Sequence, residues 1–444
     1  MELKAKKRLS SFQIILLGFA GVILLGALIL MLPISSRDRI VTPFIDALFT
    51  STSAACVTGL IVFDTATHWS LFGQMVIILL IQIGGMGVVT IALSFALLFK
   101  KKIGLFGRGT QKEAVAAPDV GSIVKLTGFI LKGIFLIELI GAIIMFPIFC
   151  GDFGFLKGLW YAVFHSISAF CNAGFDLMGS ITGKFSSLTG YIGQPIITLT
   201  ISLLILIGGI GFLTWEDFCK HKFRFKRYKM QSKVVLVVSL ILILFPSLYF
   251  FFFEFENMSF KERLLASIFQ AITPRTAGFN TVDLSLISEV GIMLMIILML
   301  IGGSSGSTAG GMKMTTFSVL FASAFSVFRK KDNAELMRRR VDDDTVKNAA
   351  TVCLMYITLF LVGGMLISAV EGLPLLTCFY ESASAIATVG LTLGITPSLG
   401  IVSKITLISL MYFGRVGVLT LVYATMRGNQ KIVSKYPVEK ISVG

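Results

Sequence analysis

Residues 234–253, VVLVVSLILILFPSLYFFFF, run for twenty positions without a charge. A helix of roughly that length, about 20 residues, spans the hydrocarbon core of a bilayer. Ile14–Leu32 and Leu71–Phe99 are uncharged runs of the same kind. Inside lipid every backbone N–H and C=O must bond within the protein, so spans of this length are helices. Charged residues make up 14% of the chain, against about 25% in soluble domains. The expected class is an all-α membrane protein. The first run follows Lys4, Lys6, Lys7 and Arg8 as a signal peptide would. It exceeds the usual apolar region of about 7–15 residues, and no small-x-small site follows it before Arg37. It reads as a retained span.

A net charge of +15 would suggest nucleic acid in a soluble chain. Here the placement of the charge decides. Of 39 Lys and Arg, 28 fall in the clusters Lys4–Arg8, Lys100–Lys125, Lys220–Lys233, Arg329–Lys347 and Arg427–Lys440. The positive-inside rule puts these clusters and both termini in the cytoplasm. The basic excess then sets orientation, and no nucleic-acid partner is expected. Anionic lipid and an acidic cytosolic partner stay open as contacts. The six cysteines and three histidines show neither metal-ligand nor disulfide spacing.

Between the clusters, long apolar runs flank a shorter segment rich in Ser, Thr and Ala. The four short segments are DALFTSTSAACVTGL (46–60), YAVFHSISAFCNAGFD (161–176), LASIFQAITPRTAGFN (265–280) and CFYESASAIATVGLT (378–392). Each carries an aromatic nine or ten residues before a glycine, with small or hydroxyl residues at alternate positions between. The glycines are Gly59, Gly174, Gly278 and Gly390, spaced by 115, 104 and 112 residues, and the third copy fits with one residue deleted. The following runs repeat too: IGGMGVVT (83–90), IGGIGFLT (207–214) and FGRVGVLT (413–420), with IGGSSGST (301–308) the divergent member. Two motifs recurring in register in all four units mark an internal repeat. The units are 1–112, 113–229, 230–340 and 341–444, the last with a C-terminal tail.

A segment of about eleven residues is too short to cross the bilayer as a helix. With both crossings of each unit already used, it must enter from outside and turn back. Irregular backbone at membrane depth survives only where protein or a water-filled cavity covers it. Four copies around a pseudo-fourfold axis supply that cover. The expected architecture is eight transmembrane helices plus four re-entrant pore helices around a central pore. Short helices aimed inward present their C-terminal carbonyls, and the turns Val57-Thr58-Gly59, Asn172-Ala173-Gly174, Thr276-Ala277-Gly278 and Thr388-Val389-Gly390 offer backbone oxygens. Such oxygens replace the hydration shell of a monovalent cation. Glycine suits the turn because it accepts positive φ. The alternate hydroxyls are expected to satisfy neighbouring groups inside the protein.

On these motifs, over essentially its whole length, the chain resembles the membrane subunit of the Ktr/Trk/HKT superfamily of potassium transporters, nearest the bacterial Ktr type. The resemblance implies four M1–P–M2 repeats with one filter glycine each, at Gly59, Gly174, Gly278 and Gly390. Glycine in all four, with no serine in the first, implies potassium over sodium. The third returning helix holds Gly302, Gly303, Gly306, Gly310 and Gly311, each costing a helix about 1 kcal/mol relative to Ala. It is expected to break in mid-membrane below the filter, where transporters place moving parts. The resemblance makes residues 302–316 an intramembrane gating loop, including Ser304, Ser305, Ser307, Thr308, Ala309 and Lys313. Arg415 stands where sister repeats carry Gly85 and Gly209, and is expected to hydrogen-bond the loop and set an electrostatic barrier. Arg275 is expected to pair behind the filter with Asp46, Glu381 or Glu138.

Gly302-Gly303-Ser304-Ser305-Gly306 also satisfies a serine-hydrolase pattern. The required base is not offered, since His68, His165 and His221 all lie upstream on other segments. No enzyme is expected. Potassium is the transported ion; sodium coupling and passive cation conduction both stay open. No Walker A or G-x-G-x-x-G motif occurs, so the chain carries no nucleotide site. The resemblance implies a homodimer in the plasma membrane, docked on a cytosolic nucleotide-binding ring of RCK type. The cytoplasmic loops and the terminal YPVEKISVG (436–444) are its available contacts.

Overall fold

The computed structural model describes residues 10–87, 123–417, 420 and 437. Clusters Lys4–Arg8 and Arg427–Lys440, most of Lys100–Lys125, both termini and the first repeat boundary lie outside the described residues. Among the described residues, four helices are long and apolar enough to cross a membrane: Phe12–Met31, Leu126–Phe153, Met230–Glu254 and Asp343–Glu371. At most 33% of the apolar window of any of them is buried, so Leu24, Leu25, Leu28, Leu136 and Leu139 face outward. Each of these leading helices precedes a short helix: Phe44–Ala55, Phe155–Phe170, Phe260–Ile272 and Leu375–Ile386. The short helices are polar yet buried, with Ser51, Thr52, Ser53, Ser166, Ser168, Ser382 and Ser384 out of contact with the surroundings. The polarity is inverted relative to a soluble fold, because lipid outside and polar backbone inside exchange roles.

The alternate hydroxyls divide into two tasks. The earlier one ties the short helix to its leading helix. Ser51 donates to the Ile23 carbonyl (2.7 Å), Ser166 to Glu138 (2.6 Å) and Ser382 to Phe360 (2.7 Å). Close approach is possible because the leading helix carries a glycine three residues on. A Cβ at Gly26, Gly141 or Gly363 would run into that same hydroxyl. Losing such a bond costs about 1 kcal/mol. Ser382→Ala is accordingly expected to lower the thermal unfolding midpoint in detergent. Ser409→Ala, on an exposed face, is the control; an equal drop in both would remove the special role of Ser382.

A trailing helix follows each short one: Leu71–Met86, Pro195–Gly209, Glu289–Leu300 and Ile401–Val416. Only the third was expected to break. Instead the first and fourth end at Gly87 and Gly417, and the second at Gly209, two residues before the aligned Gly211 that opens the next helix; the three aligned glycines have φ of 81°, 89° and 92°. After the second, helix Phe212–His221 departs at 96°. Glycine takes this positive φ without a Cβ penalty. Between Arg329 and Lys347 the chain forms a small hairpin, Glu335–Leu336 antiparallel to Arg339–Arg340.

Candidate functional site

The four short helices deliver their C-termini to one point. In each unit the residue two before the glycine has positive φ (Val57 57°, Asn172 60°, Thr276 82°, Thr388 52°), and the glycine again (Gly59 98°, Gly174 68°, Gly278 81°, Gly390 94°). The residue between is not in that region. The four turns therefore share one conformation that only glycine adopts freely.

The turns also meet. A Cβ at Gly59 would lie 2.5 Å from the Ala173 carbonyl oxygen, and one at Gly174 would lie 2.6 Å from that of Ala277. Gly278 faces the Val389 oxygen in the same way, and Gly390 the Thr58 oxygen. Each glycine thus abuts the carbonyl just before the glycine of the next unit, and the order 1–2–3–4–1 closes a ring. The later hydroxyl of each short helix holds this ring. Ser53 and Ser384 accept from the Gly59 and Gly390 N–H groups (3.0 Å each), whereas Ser168 and Thr273 donate to the Phe175 (2.7 Å) and Phe279 (2.5 Å) carbonyls. The deletion in the third unit lies in the turn: Ala277 N–H bonds Thr273 O, four residues back, where Thr58, Ala173 and Val389 reach five residues back. The Thr58 and Thr388 hydroxyls are buried with no partner among the described residues. The Asn172 side chain reaches the Thr276 hydroxyl of the third turn. Oriented to satisfy both amide atoms, its nitrogen donates to Ala169 and Ile205 carbonyls (3.1 and 3.2 Å) and its oxygen accepts from Thr276.

Residues 301–313 lie between the third trailing helix and helix Met314–Phe328, and form no helix; the expected loop 302–316 thus ends at Lys313, with residues 314–316 in the first turn of the next helix. They pack beneath the turns: Gly310 against the Thr388 side chain, Gly311 against the Ala387 carbonyl and Gly302 close to Thr276. The loop is stitched to the second unit through Thr308 Oγ1 to Phe170 O (3.0 Å), Ser304 N to Gly209 O (3.0 Å) and Phe212 N to Gly306 O (2.7 Å). It reaches the fourth through Gly311 N to Gly414 O (3.1 Å). Ser305 pairs with Thr315, and Ser307 donates to Ser304 O. Gly303 would have its Cβ against Ala309. Lys313 turns back into the loop, donating to Ala309 O (2.8 Å) and Gly310 O (3.0 Å). Arg415 joins three parts at once: Nη1 donates to Thr308 O (2.5 Å), and Nη2 to the Gly84 and Gly85 carbonyls of the first unit.

The expected acidic partner of Arg275 is corrected. Its guanidinium bonds the Ser239 hydroxyl (2.9 Å) and carbonyl (3.5 Å) on the third leading helix. The three candidate acids are engaged elsewhere: Asp46 with Lys404 (2.7 Å), Glu138 with Gln82 (3.0 Å), and Glu381 with Thr392 and Thr396. Those acids stand on other units, and in lipid a nearby hydroxyl on the adjoining helix is the reachable acceptor.

A ring of four backbone turns beneath which a non-helical loop is pinned invites comparison with known transporters. The TrkH family, described as cation transport protein, matches residues 11–433 of this sequence. The chain belongs to that family. TrkH proteins form a transport family, so the serine pattern at 302–306 is part of a transporter loop rather than a hydrolase. Among similar proteins, potassium/sodium uptake protein NtpJ of Enterococcus hirae is 40% identical, with 100% of this chain and 99% of that one covered. Ktr system potassium uptake protein B of Bacillus subtilis is 38% identical, covering 97% and 96%. The crystal structure of the potassium transporter TrkH from Vibrio parahaemolyticus superposes with a TM-score of 0.75 at 18% identity, over 96% of this chain and 87% of that one. The helical fold is thus the TrkH fold, and this member is an integral membrane protein.

Proposed function

We propose that the chain takes up potassium across the plasma membrane, through a filter made of the four turns that end in Gly59, Gly174, Gly278 and Gly390. The observation that carries this reading is the closed ring in which every glycine abuts the carbonyl before the next. Backbone oxygens held in place replace the hydration shell of a monovalent cation. The Thr58 and Thr388 hydroxyls, buried without a partner among the described residues, leave two further oxygens beside the turns. The names of the relatives, potassium uptake and potassium/sodium uptake proteins, support the choice of ion. Each unit contributes a leading crossing, a re-entrant short helix and a trailing crossing, eight and four in all, with both termini cytoplasmic by the positive-inside rule. Loop 302–313 is the gate, and Arg415 fastens it. Regulation comes from a separate cytosolic nucleotide-binding ring on a homodimer of this chain, a reading supported by the "system" in the name of the Bacillus subtilis relative.

The test is ion flux in liposomes under imposed potassium, sodium and voltage gradients, with and without such a ring and ATP or ADP. Potassium entry that exceeds sodium entry and responds to the ring supports the proposal. Uptake that stops when sodium is removed assigns sodium coupling, and uptake set by the potassium gradient and voltage alone makes the chain a passive channel. Equal flux of potassium and sodium would overturn the filter assignment.

A further inference from the structure

We propose that the break in the second trailing helix holds an anionic phospholipid, with an acyl chain in an apolar groove and the headgroup on the basic loop that follows. The groove is a cavity of about 590 Å³ lined by Gly133 and Leu136 of the second leading helix, Trp215 and Phe218 after the break, and Leu236 of the third leading helix. Its walls are apolar, and it opens on an outward face where Leu136 and Phe218 are 57% and 50% exposed. Gly133 keeps it open, since a Cβ there would press on the Trp215 ring at 3.2 Å. Trp215 is fixed in turn by its indole N–H, which donates to Ile207 O across the break (2.9 Å).

One turn along the chain a second hollow, about 310 Å³, is lined by Lys220, Lys222, Arg224, Arg227 and Phe223. The two hollows adjoin on helix Phe212–His221, where Cys219 lines the groove and Lys220 the basic hollow. The local acids leave the charge in excess. Glu216 is taken by Lys220 (2.5 Å) and Lys229 (3.9 Å), and buried Asp217 accepts from the Lys229 N–H and the Ser232 hydroxyl. Lys222, Arg224 and Arg227 make no ion pair among the described residues. Phe223 is 90% exposed between these cations, an arrangement that suits the headgroup level of a membrane, where aromatic rings are enriched. The 96° turn after Gly209 sets helix Phe212–His221 across the direction of the trailing helix, the orientation of interfacial helices relative to spanning ones. An apolar slot facing lipid beside an uncompensated basic loop is complementary to a lipid with a negative headgroup.

The site is placed to act on transport, a consequence that rests on the gating role proposed above. Ile207 and Ile210 line the groove, and the carbonyls of Gly208 and Gly209 between them accept from Thr308 and Ser304 of the loop. A chain in the groove braces the helix end that holds the loop.

Native mass spectrometry of the purified full-length protein, titrated with phosphatidylglycerol or phosphatidylcholine, reads binding without reference to ion flux. Retention of phosphatidylglycerol is expected to exceed that of phosphatidylcholine by about tenfold. Lys222→Gln with Arg224→Gln and Arg227→Gln is expected to abolish that preference, and Leu136→Trp, which fills the groove, to lower retention of both lipids. Arg338→Gln with Arg339→Gln and Arg340→Gln, in the hairpin, removes as much surface charge elsewhere and is expected to change nothing. Circular dichroism melting checks that each variant is folded. Full retention in the Leu136→Trp protein, or equal losses in the hairpin variant, would overturn the site. An unaltered preference in the loop variant would assign the basic loop to a soluble acidic partner and likewise overturn it.

Discussion

Gly390→Ser is expected to cut the preference of the proposed path for potassium over sodium by about tenfold, equivalent to about 1.4 kcal/mol. Gly390 has φ of 94°, and a left-handed backbone costs a residue with a side chain roughly 1–2 kcal/mol. Its new Cβ would also drive into the Thr58 carbonyl oxygen and the Gly59 Cα of the first unit. Both are backbone atoms, so relief requires the ring to move rather than a side chain to swing. A displaced Thr58 carbonyl withdraws one oxygen from the ring, and the loss falls on the ion whose hydration shell the ring was sized to replace. The serine hydroxyl restores polarity at the wrong radius. Gly21→Ser is the internal control, since nothing lies within 4 Å of a Cβ there. Potassium and sodium permeability from reversal potentials in liposomes checks the result. A Gly390→Ser protein with wild-type permeability ratio would contradict the filter assignment, whatever its total flux.

The ring was legible in sequence because its physical demands are local. A glycine at a fixed offset from the later hydroxyl records a positive φ and the hydrogen bond that holds the turn, both within about seven residues. The structure gives the hydroxyls their separate acceptors, the leading helix for Ser51, Ser166 and Ser382, and the turn for Ser53, Ser168 and Ser384. The pairing of Arg275 was not legible, since it depends on which face of the third leading helix reaches the turn, and Ser239 lies 36 residues upstream. The ends of the trailing helices were half legible. The motifs aligned Gly87, Gly211 and Gly417, but in an apolar run a glycine reads equally as a packing residue, and only the dihedral separates the two. Asn172 illustrates the same limit: an amide two residues before a filter glycine reads equally as an added oxygen or as packing, and its bonds to the Ala169 and Ile205 carbonyls are set by the fold.

Arg415→Ala is expected to raise potassium flux, by about tenfold where the loop limits entry, because in the proposed gate its charge-assisted hydrogen bonds, about 1.5–3 kcal/mol each, are what fasten the loop. The side chain links Thr308 O of the loop to Gly84 O and Gly85 O of the first unit. The remaining ties run to the second and fourth units, through Thr308, Ser304, Gly306 and Gly311. Without Arg415 nothing among these contacts joins the loop to the first unit, so the loop is free to swing from that side while staying hinged on the other two. Removing the cation beneath the ring also lowers the barrier to an entering cation, so both effects act in the same direction. Arg415→Lys separates them. A lysine keeps the charge but lacks the planar fork that spans two acceptors on different units. Flux as high as in the alanine variant would make the fork the decisive element, whereas flux near wild type would make it the charge. Unchanged flux in Arg415→Ala, measured in the same liposomes with protein amount matched, would leave loop 302–313 without a fastening at this residue and would remove Arg415 from the gate.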